Sequence, residues 1–271
     1  MFDFLTDWIT NIFGRITDTA TSIVSQVTKT PADVFGQDFW NSLLKIGMSA
    51  VMPFAILILC FGLAFDLYRV YCRSNGSLDM ELVTITFVKY IIPFVCITYT
   101  YDLLQFIFNL INTMIQQLYA HVYTGTGSSV DTSAFIQQVS GMSFGQKLGL
   151  WLQLFGPWVC TGLMSVVSTV VVYGRLFEIV IYWIFAPIPF ATFVNDDIRG
   201  SIGVNFIKMF CALVLQGGLI TLVVSLYLML IKTVTIQTSV QGAVAMMGYS
   251  AVLMTALVKT GSLSKRLLGT F

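Results

Sequence analysis

The stretch RLFEIVIYWIFAPIPFATFVN, residues 175–195, decides how this chain folds. It is a long apolar run that is interrupted near its end by Pro187 and Pro189. Proline lacks a backbone donor and its ring clashes with the carbonyl group four residues earlier, so an ordinary helix does not continue through Ala-Pro-Ile-Pro. In lipid, the freed backbone groups must be satisfied by protein or by water. The prolines therefore predict a break that packs on a neighbouring helix, lies in an oligomer contact or faces a hydrated cavity.

The composition places the whole chain in a membrane. Of its 271 residues, 56% are hydrophobic and only 10% are charged, and the mean hydropathy is +0.84. Soluble domains carry about a quarter charged residues, so this chain is predicted to be an all-α, polytopic integral membrane protein. The net charge of +1 excludes a bulk attraction to nucleic acid or to acidic lipid.

No pattern in the sequence points to catalysis, a metal or a cofactor. The chain has five cysteines, of which only Cys72 falls in a predicted loop, and one histidine, His121, in a polar segment. This distribution supports neither a disulfide framework nor a zinc site. The phosphate-binding pattern GxxxxGK[ST] is missing, and no nucleophile can be paired with a base. We therefore expect a protein that is not an enzyme and needs no cofactor.

The chain divides into five predicted parts along its length. They are an amphipathic helix and linker (1–38), two membrane helices with a polar-striped extension (39–119), an external polar loop (120–147), a membrane bundle with the Ala-Pro-Ile-Pro break (148–258) and a basic tail (259–271). The first part has apolar residues at helical spacing and aspartates at its start, which excludes a signal peptide. We expect this helix on a membrane surface or against partner helices.

Five to six segments are apolar enough to cross a bilayer. They are residues 39–68, 82–101, 148–173, 175–195, 204–231 and 242–258. The number depends on whether residues 175–195 cross or re-enter, and the positive-inside rule discriminates between the two. Re-entry collects eight basic residues on one side: Arg69, Arg73, Arg175, Arg199, Lys208, Lys259, Lys265 and Arg266. We therefore predict five full crossings, with the N-terminus and the polar loop outside and the C-terminus in the cytoplasm.

A stripe of uncharged polar residues follows the second crossing. It consists of Gln105, Asn109, Asn112 and Gln116, whose spacing places them on one face of a helix. One interpretation is a hydrogen-bonding wall of a passage formed by several copies of the chain. The other is the wet face of a helix that lies on lipid. Gln216, which precedes two glycines, has the same ambiguity between lining a cavity and bonding within close helix packing.

Two pairs of opposite charges lie at predicted segment ends. Asp66 and Arg69, and likewise Arg175 and Glu178, are three residues apart and are predicted to form ion pairs. Charge at membrane depth is costly, so a role in ion coupling is the alternative interpretation.

Several blocks of sequence resemble one protein family. VVYGRLFEIVIYWIFAPIPFAT at 171–192 is similar to the TrbL-like polytopic membrane subunits of type IV secretion systems on Gram-positive conjugative plasmids and integrative elements. Three further blocks agree: VMPFAILILCFGLAFDLYRV (51–70), NFIKMFCALVLQGGLI (205–220) and MGYSAVLMTALVKTGSLSKRLLG (247–269). The N-terminal helix and the Gly/Ser-rich loop carry no such motif.

The resemblance implies a channel or scaffold component of the bacterial cytoplasmic membrane that forms homo-oligomers and supports transfer of a single DNA strand with its relaxase. It also implies a conjugation ATPase, bitopic scaffold subunits and a cell-wall hydrolase as partners. No basic patch interleaved with aromatic residues occurs, so the residues themselves give no support for direct DNA contact. The alternative function is a secondary transporter with a midplane site at the broken segment. Such transporters have two related halves, and the Ala-Pro-Ile-Pro pattern occurs once.

Overall fold

The computed structural model of the protein describes residues 3–73, 80–126, 141, 143–193, 201–235 and 240–270. Within these ranges the chain is helical and contains no strand, which confirms the predicted all-α class. The helices are α1 (Asp3–Val27), α2 (Pro31–Phe35), α3 (Gln37–Ile46), α4 (Met52–Arg73), α5 (Met80–Thr98), α6 (Thr100–Thr126), α7 (Phe144–Phe185), α8 (Pro187–Ala191), α9 (Ser201–Thr235) and α10 (Val240–Leu267). A π-helical turn, Gly47–Val51, joins α3 to α4.

The described residues form two compact units. Unit 1 consists of residues 1–29, 112–175 and 215–264. Its core joins the apolar face of α1 to side chains of α7, α9 and α10, among them Leu154, Val172, Ile220 and Leu253. The amphipathic N-terminal segment therefore forms a helix, as predicted. Helices of the same chain cover its apolar face.

Unit 2 consists of residues 30–111, 176–214 and 265–271. Its core is built around Trp183, which is 1% exposed. The rings of Trp40, Phe108 and Phe210 surround this indole, with centroids 5.1, 5.7 and 5.7 Å away. The contacts of Trp40 and Phe210 with Trp183 are edge-to-face, an arrangement that adds to the packing energy of large aromatic side chains.

Among the described residues, four helical stretches are long and apolar enough to span a membrane. They are Gln37–Arg73, Met80–Thr98, Phe144–Phe185 and Ile202–Ile231. Each contains or closely matches one of the predicted crossings, which makes the chain a multi-pass membrane protein. The short predicted crossing at 242–258 lies within α10, which is outside this set of four.

The structure corrects the predicted start of the broken segment. A separate segment beginning at Arg175 is wrong, because α7 continues past Gly174 and Arg175 and ends only at Phe185. A glycine inside a helix costs about 1 kcal/mol relative to alanine, which is too little to end a long apolar helix. A proline costs about 3 kcal/mol or more, and the helix ends where Pro187 follows.

The ends of the predicted polar loop and tail are also helical. Helix α6 continues to Thr126 and α7 begins at Phe144, while residues 127–140 and 142 of the loop lie outside the described residues. Helix α10 runs through the predicted basic tail to Leu267 and is followed by Gly269, whose φ of +63° is the left-handed conformation that glycine adopts readily.

Candidate functional site

The proline break lies in the interior of unit 2. After α7 ends, Ala186 forms a turn and the short helix α8 begins at Pro187. Ala186, Pro187 and Phe190 are buried, and α8 contacts both α4 and α5. The hydroxyl group of Thr192 donates to the carbonyl oxygen of Pro189 at 2.8 Å. The chain therefore leaves the break through a short, buried helix that packs on the first two membrane helices.

A tyrosine from α6 bonds the backbone beside this break. The Tyr101 hydroxyl donates to the carbonyl oxygen of Ile184 at 3.5 Å, in the last turn of α7. The same hydroxyl lies directly against Gly47 of the π-helical turn, where a Cβ atom would overlap it. Protein side chains therefore meet the backbone next to the prolines, which is the first of the three surroundings that the sequence left open.

A buried arginine lies in unit 1 at the end of α1. Arg175 is 6% exposed, and its Nη1 donates to the carbonyl oxygen of Val27 at 3.4 Å. The last carbonyl groups of a helix lack intrahelical donors and carry partial negative charge, so a guanidinium group is a suitable partner for them. Glu178, the partner predicted for Arg175, is exposed. The pair between them stays a prediction.

A glycine makes room for this arginine. A Cβ atom at Gly217 would lie 2.5 to 2.6 Å from three atoms of the Arg175 guanidinium group. Sequence reasoning assigned the two adjacent glycines, Gly217 and Gly218, to close packing but did not identify what packs there. The signal was the position of an arginine inside a long apolar stretch, where an ionised side chain needs a protein partner.

The amide residues that the sequence grouped together have different surroundings. In unit 1, Asn112 and Gln216 are each 8% exposed. The Asn112 amide donates to the Thr28 carbonyl oxygen at 3.0 Å, and the Gln216 amide lies 3.4 Å from the Thr260 hydroxyl group. These two amides therefore hold helices of unit 1 together.

The other amides of the stripe are more accessible. In unit 2, the Gln105 amide donates to the Asn109 side-chain oxygen at 3.0 Å, and Asn109 is exposed. Gln116 of unit 1 is exposed as well. A passage lined by these residues stays a prediction.

The different surroundings of two amides give a testable difference in stability. We expect Asn112→Leu to lower the free energy of unfolding by about 1–3 kcal/mol, because the partly buried Thr28 carbonyl group loses its donor. Asn109→Leu, at an exposed position of the same helix, is expected to change it by less than about 0.5 kcal/mol. Thermal unfolding of the two purified variants in detergent measures this difference. Equal stability of the two variants contradicts the conclusion that the bond from Asn112 to the Thr28 carbonyl group holds α6 to the end of α1.

Asp66 has a partner that spacing alone did not indicate. Its carboxylate accepts a hydrogen bond of 2.7 Å from the hydroxyl group of Tyr90 on α5. Gly62, one turn before Asp66, lies beside the same hydroxyl group. The bond therefore ties α4 to α5 within unit 2. Arg69 is exposed, and its predicted pair with Asp66 stays a prediction.

Several of the described polar side chains form hydrogen bonds between helices. Among the residues that the structure describes, no group of three or more histidine, cysteine, aspartate or glutamate side chains is placed to hold a metal ion. His121 is exposed on α6. The polar groups gathered in each unit are amides, hydroxyl groups and single charges, which suit helix association in an apolar environment.

Comparison with known proteins identifies the family. A sequence profile described as TrbL/VirB6 plasmid conjugal transfer like protein matches residues 16–187, which is more than half of the chain. The match includes α7 and the first proline of the break, while the two C-terminal blocks of resemblance lie outside it. No curated protein and no solved structure matches the chain. The chain therefore belongs to the TrbL/VirB6-like plasmid conjugal transfer family and is a membrane component of conjugal transfer by type IV secretion.

Proposed function

We propose that this chain is the oligomeric channel or scaffold subunit of a conjugative type IV secretion system and supports transfer of a single DNA strand with its bound relaxase. The observation that carries the proposal is the family match over residues 16–187. The orientation that we propose has the N-terminus outside and the C-terminus in the cytoplasm, because it places the basic residues of the C-terminal part on the cytoplasmic side, namely Arg199, Lys208, Lys259, Lys265 and Arg266.

The surface of the first two membrane helices supports a role among lipids and other subunits. Large apolar side chains on α4 and α5 are exposed, including Phe61 at 60%, Phe65 at 68% and Ile92 at 69%. Exposed apolar surface on this scale is covered in the native setting by acyl chains or by protein. A subunit of a membrane oligomer exposes apolar surface of this kind to lipid or to other subunits. Its polar groups, by contrast, form hydrogen bonds between its own helices.

The partners that we propose are those that the family resemblance implies. The sequence has no phosphate-binding loop, so the energy for transfer comes from a conjugation ATPase in this proposal. Bitopic scaffold subunits and a cell-wall hydrolase complete the assembly. In this proposal, the subunit contacts the transferred strand either through the relaxase or through the wall of a passage that has no basic patch.

Deletion and complementation in donor cells test the proposal. We expect deletion of the coding sequence to reduce DNA transfer to background and a tagged copy to restore it. The tagged protein is expected to purify as an oligomer together with the conjugation ATPase or a scaffold subunit. Transfer at the parental frequency without the chain contradicts the proposal.

The transporter alternative is less favoured by the geometry. A midplane site at the break needs backbone groups that face a cavity. Here Phe190 is 1% exposed, α8 packs on α4 and α5, and Tyr101 bonds Ile184. Uptake of a small solute by proteoliposomes that contain only this protein would support the transporter alternative.

A further inference from the structure

Helix α1 lies alongside α7 within unit 1, and contacts at both ends fix this arrangement. The rings of Trp8 and Trp151 are 5.9 Å apart, and the Val27 carbonyl oxygen is 3.4 Å from Arg175 Nη1. Both helices therefore run in the same direction. The α7 segment between these contacts is about 36 Å long at 1.5 Å per residue, which exceeds the roughly 30 Å of the bilayer hydrocarbon core.

The neighbouring part of α7 belongs at membrane depth. Residues 148–174 contain no charged side chain. Leu152, Leu163 and Val166 project from this part and are 72%, 53% and 62% exposed, as expected of side chains in contact with lipid. Since the apolar face of α1 shares a core with the same part of α7, α1 lies at membrane depth too.

The opposite face of α1 is polar and exposed. Its exposed side chains include Asp7, Asn11, Arg15, Asp18, Thr21, Ser22 and Ser25. At 100° per residue they fall within about a third of the helix circumference. A charged side chain at the bilayer centre costs about 2.5–3.5 kcal/mol on insertion scales, so Arg15 and Asp18, in the middle third of α1, are incompatible with a lipid neighbour.

A helix lying on the membrane surface would bury its apolar face in headgroups and turn its polar face to bulk water. The contacts of α1 exclude this placement for the folded unit, because Ile12, Ile16 and Ala20 are at most 1% exposed within the core. With lipid and the membrane surface excluded, the environment left for these carboxylates, the guanidinium group and the hydroxyl groups is water inside the membrane.

We propose that the outer face of α1 lines a water-filled passage between copies of this chain. The inference rests on the proposed function, in that it places the passage within an oligomer, and it adds which element forms the wall. The α1 wall carries charges of both signs, Asp7 and Asp18 with Arg15 between them, so it offers no strong single-sign field to a passing polyanion.

Thiol labelling of the purified oligomer in lipid nanodiscs tests the proposal, because a reagent then reaches both membrane faces. The five native cysteines are replaced by alanine, and single cysteines are introduced as Asp18→Cys or Leu163→Cys. These positions are matched in depth, because each is near the midpoint between the two contacts that join α1 to α7. The probe is a negatively charged, membrane-impermeant thiosulfonate.

We expect Asp18→Cys to react at least about tenfold faster than Leu163→Cys, because the reactive thiolate forms in water and not in lipid. Similar slow reaction at both positions, or purification of a protein that is monomeric, overturns the proposal. Failure of the proposed function is distinguishable: dispensability for DNA transfer in donor cells contradicts that function whatever the labelling shows. Slow labelling of Asp18→Cys overturns the α1 wall even where transfer requires the chain.

Discussion

Replacing Trp183 by alanine is expected to lower the free energy of unfolding by about 3–5 kcal/mol. The indole is 1% exposed and is enclosed by the rings of Trp40, Phe108 and Phe210, so its removal leaves a cavity in the centre of unit 2. Loss of packing is costly in a membrane protein as well, because close contact rather than water exclusion holds membrane helices together. The measurement is thermal unfolding of the purified variant in detergent.

The matched control for this variant is Phe185→Ala, two residues later on the same helix. Phe185 is 52% exposed and so faces lipid or detergent, and its loss is expected to change stability by less than about 1 kcal/mol. A Trp183→Ala variant as stable as Phe185→Ala contradicts the assignment of Trp183 as the centre of the unit 2 core. Both substitutions create the same residue in α7, so helix propensity cancels between them.

Gly217→Ala is expected to lower the free energy of unfolding by about 1–3 kcal/mol, the usual cost of overpacking. The new methyl group would lie within 2.6 Å of the Arg175 guanidinium group, so this group must shift, and we expect its 3.4 Å bond to the Val27 carbonyl oxygen to break. The end of α1 loses its cap as a result. Thermal unfolding measures the stability. The yield of a short bis-maleimide cross-link between Trp8→Cys and Trp151→Cys, introduced in a background without native cysteines, reports whether α1 stays in place.

Gly218→Ala is the control, since it makes the same change one residue later. Its methyl group would lie 3.4 Å from Ile115, which is an ordinary contact, and alanine favours a helix over glycine by about 1 kcal/mol. We therefore expect Gly218→Ala to unfold at an equal or higher temperature and to keep the cross-link. A lower cross-link yield in Gly218→Ala than in Gly217→Ala would falsify the conclusion that Gly217 makes room for the Arg175 side chain.

Local patterns in the sequence predicted most of the elements. The apolar spacing of the first thirty residues predicted α1, and the apolar runs predicted the four stretches that are long enough to span a membrane. The boundary at Gly174 was predicted wrongly because glycine and arginine are turn signals in soluble chains. Within an apolar helix, hydrogen bonds that have no competing water outweigh the small propensity cost.

The candidate site depended on contacts that spacing does not encode. The sequence predicted the pairs Arg175–Glu178 and Asp66–Arg69, and both stay predictions. It did not indicate the bonds that the structure shows, from Arg175 to the Val27 carbonyl group and from Tyr90 to Asp66. The amide stripe lies on one face of the helix, but its members differ in their surroundings. Asn112 is buried and bonds the Thr28 carbonyl group, whereas Asn109 is exposed. Periodicity identifies which residues share a face, and the neighbouring helices determine which part of that face is covered.

The sequence by itself determined the class of this protein: an all-α membrane chain with an amphipathic N-terminal helix, a proline break and a resemblance to conjugal transfer subunits. The first three properties follow from composition, period and the missing donor of proline, which are local, whereas the resemblance rests on particular blocks of sequence such as residues 171–192. Only the tertiary structure decided what surrounds the break, what holds Arg175 and where α1 lies. Those outcomes depend on residues from 83 to 148 positions apart, as in the Tyr101–Ile184 and Val27–Arg175 bonds, and contacts at such separation form only when the helices pack.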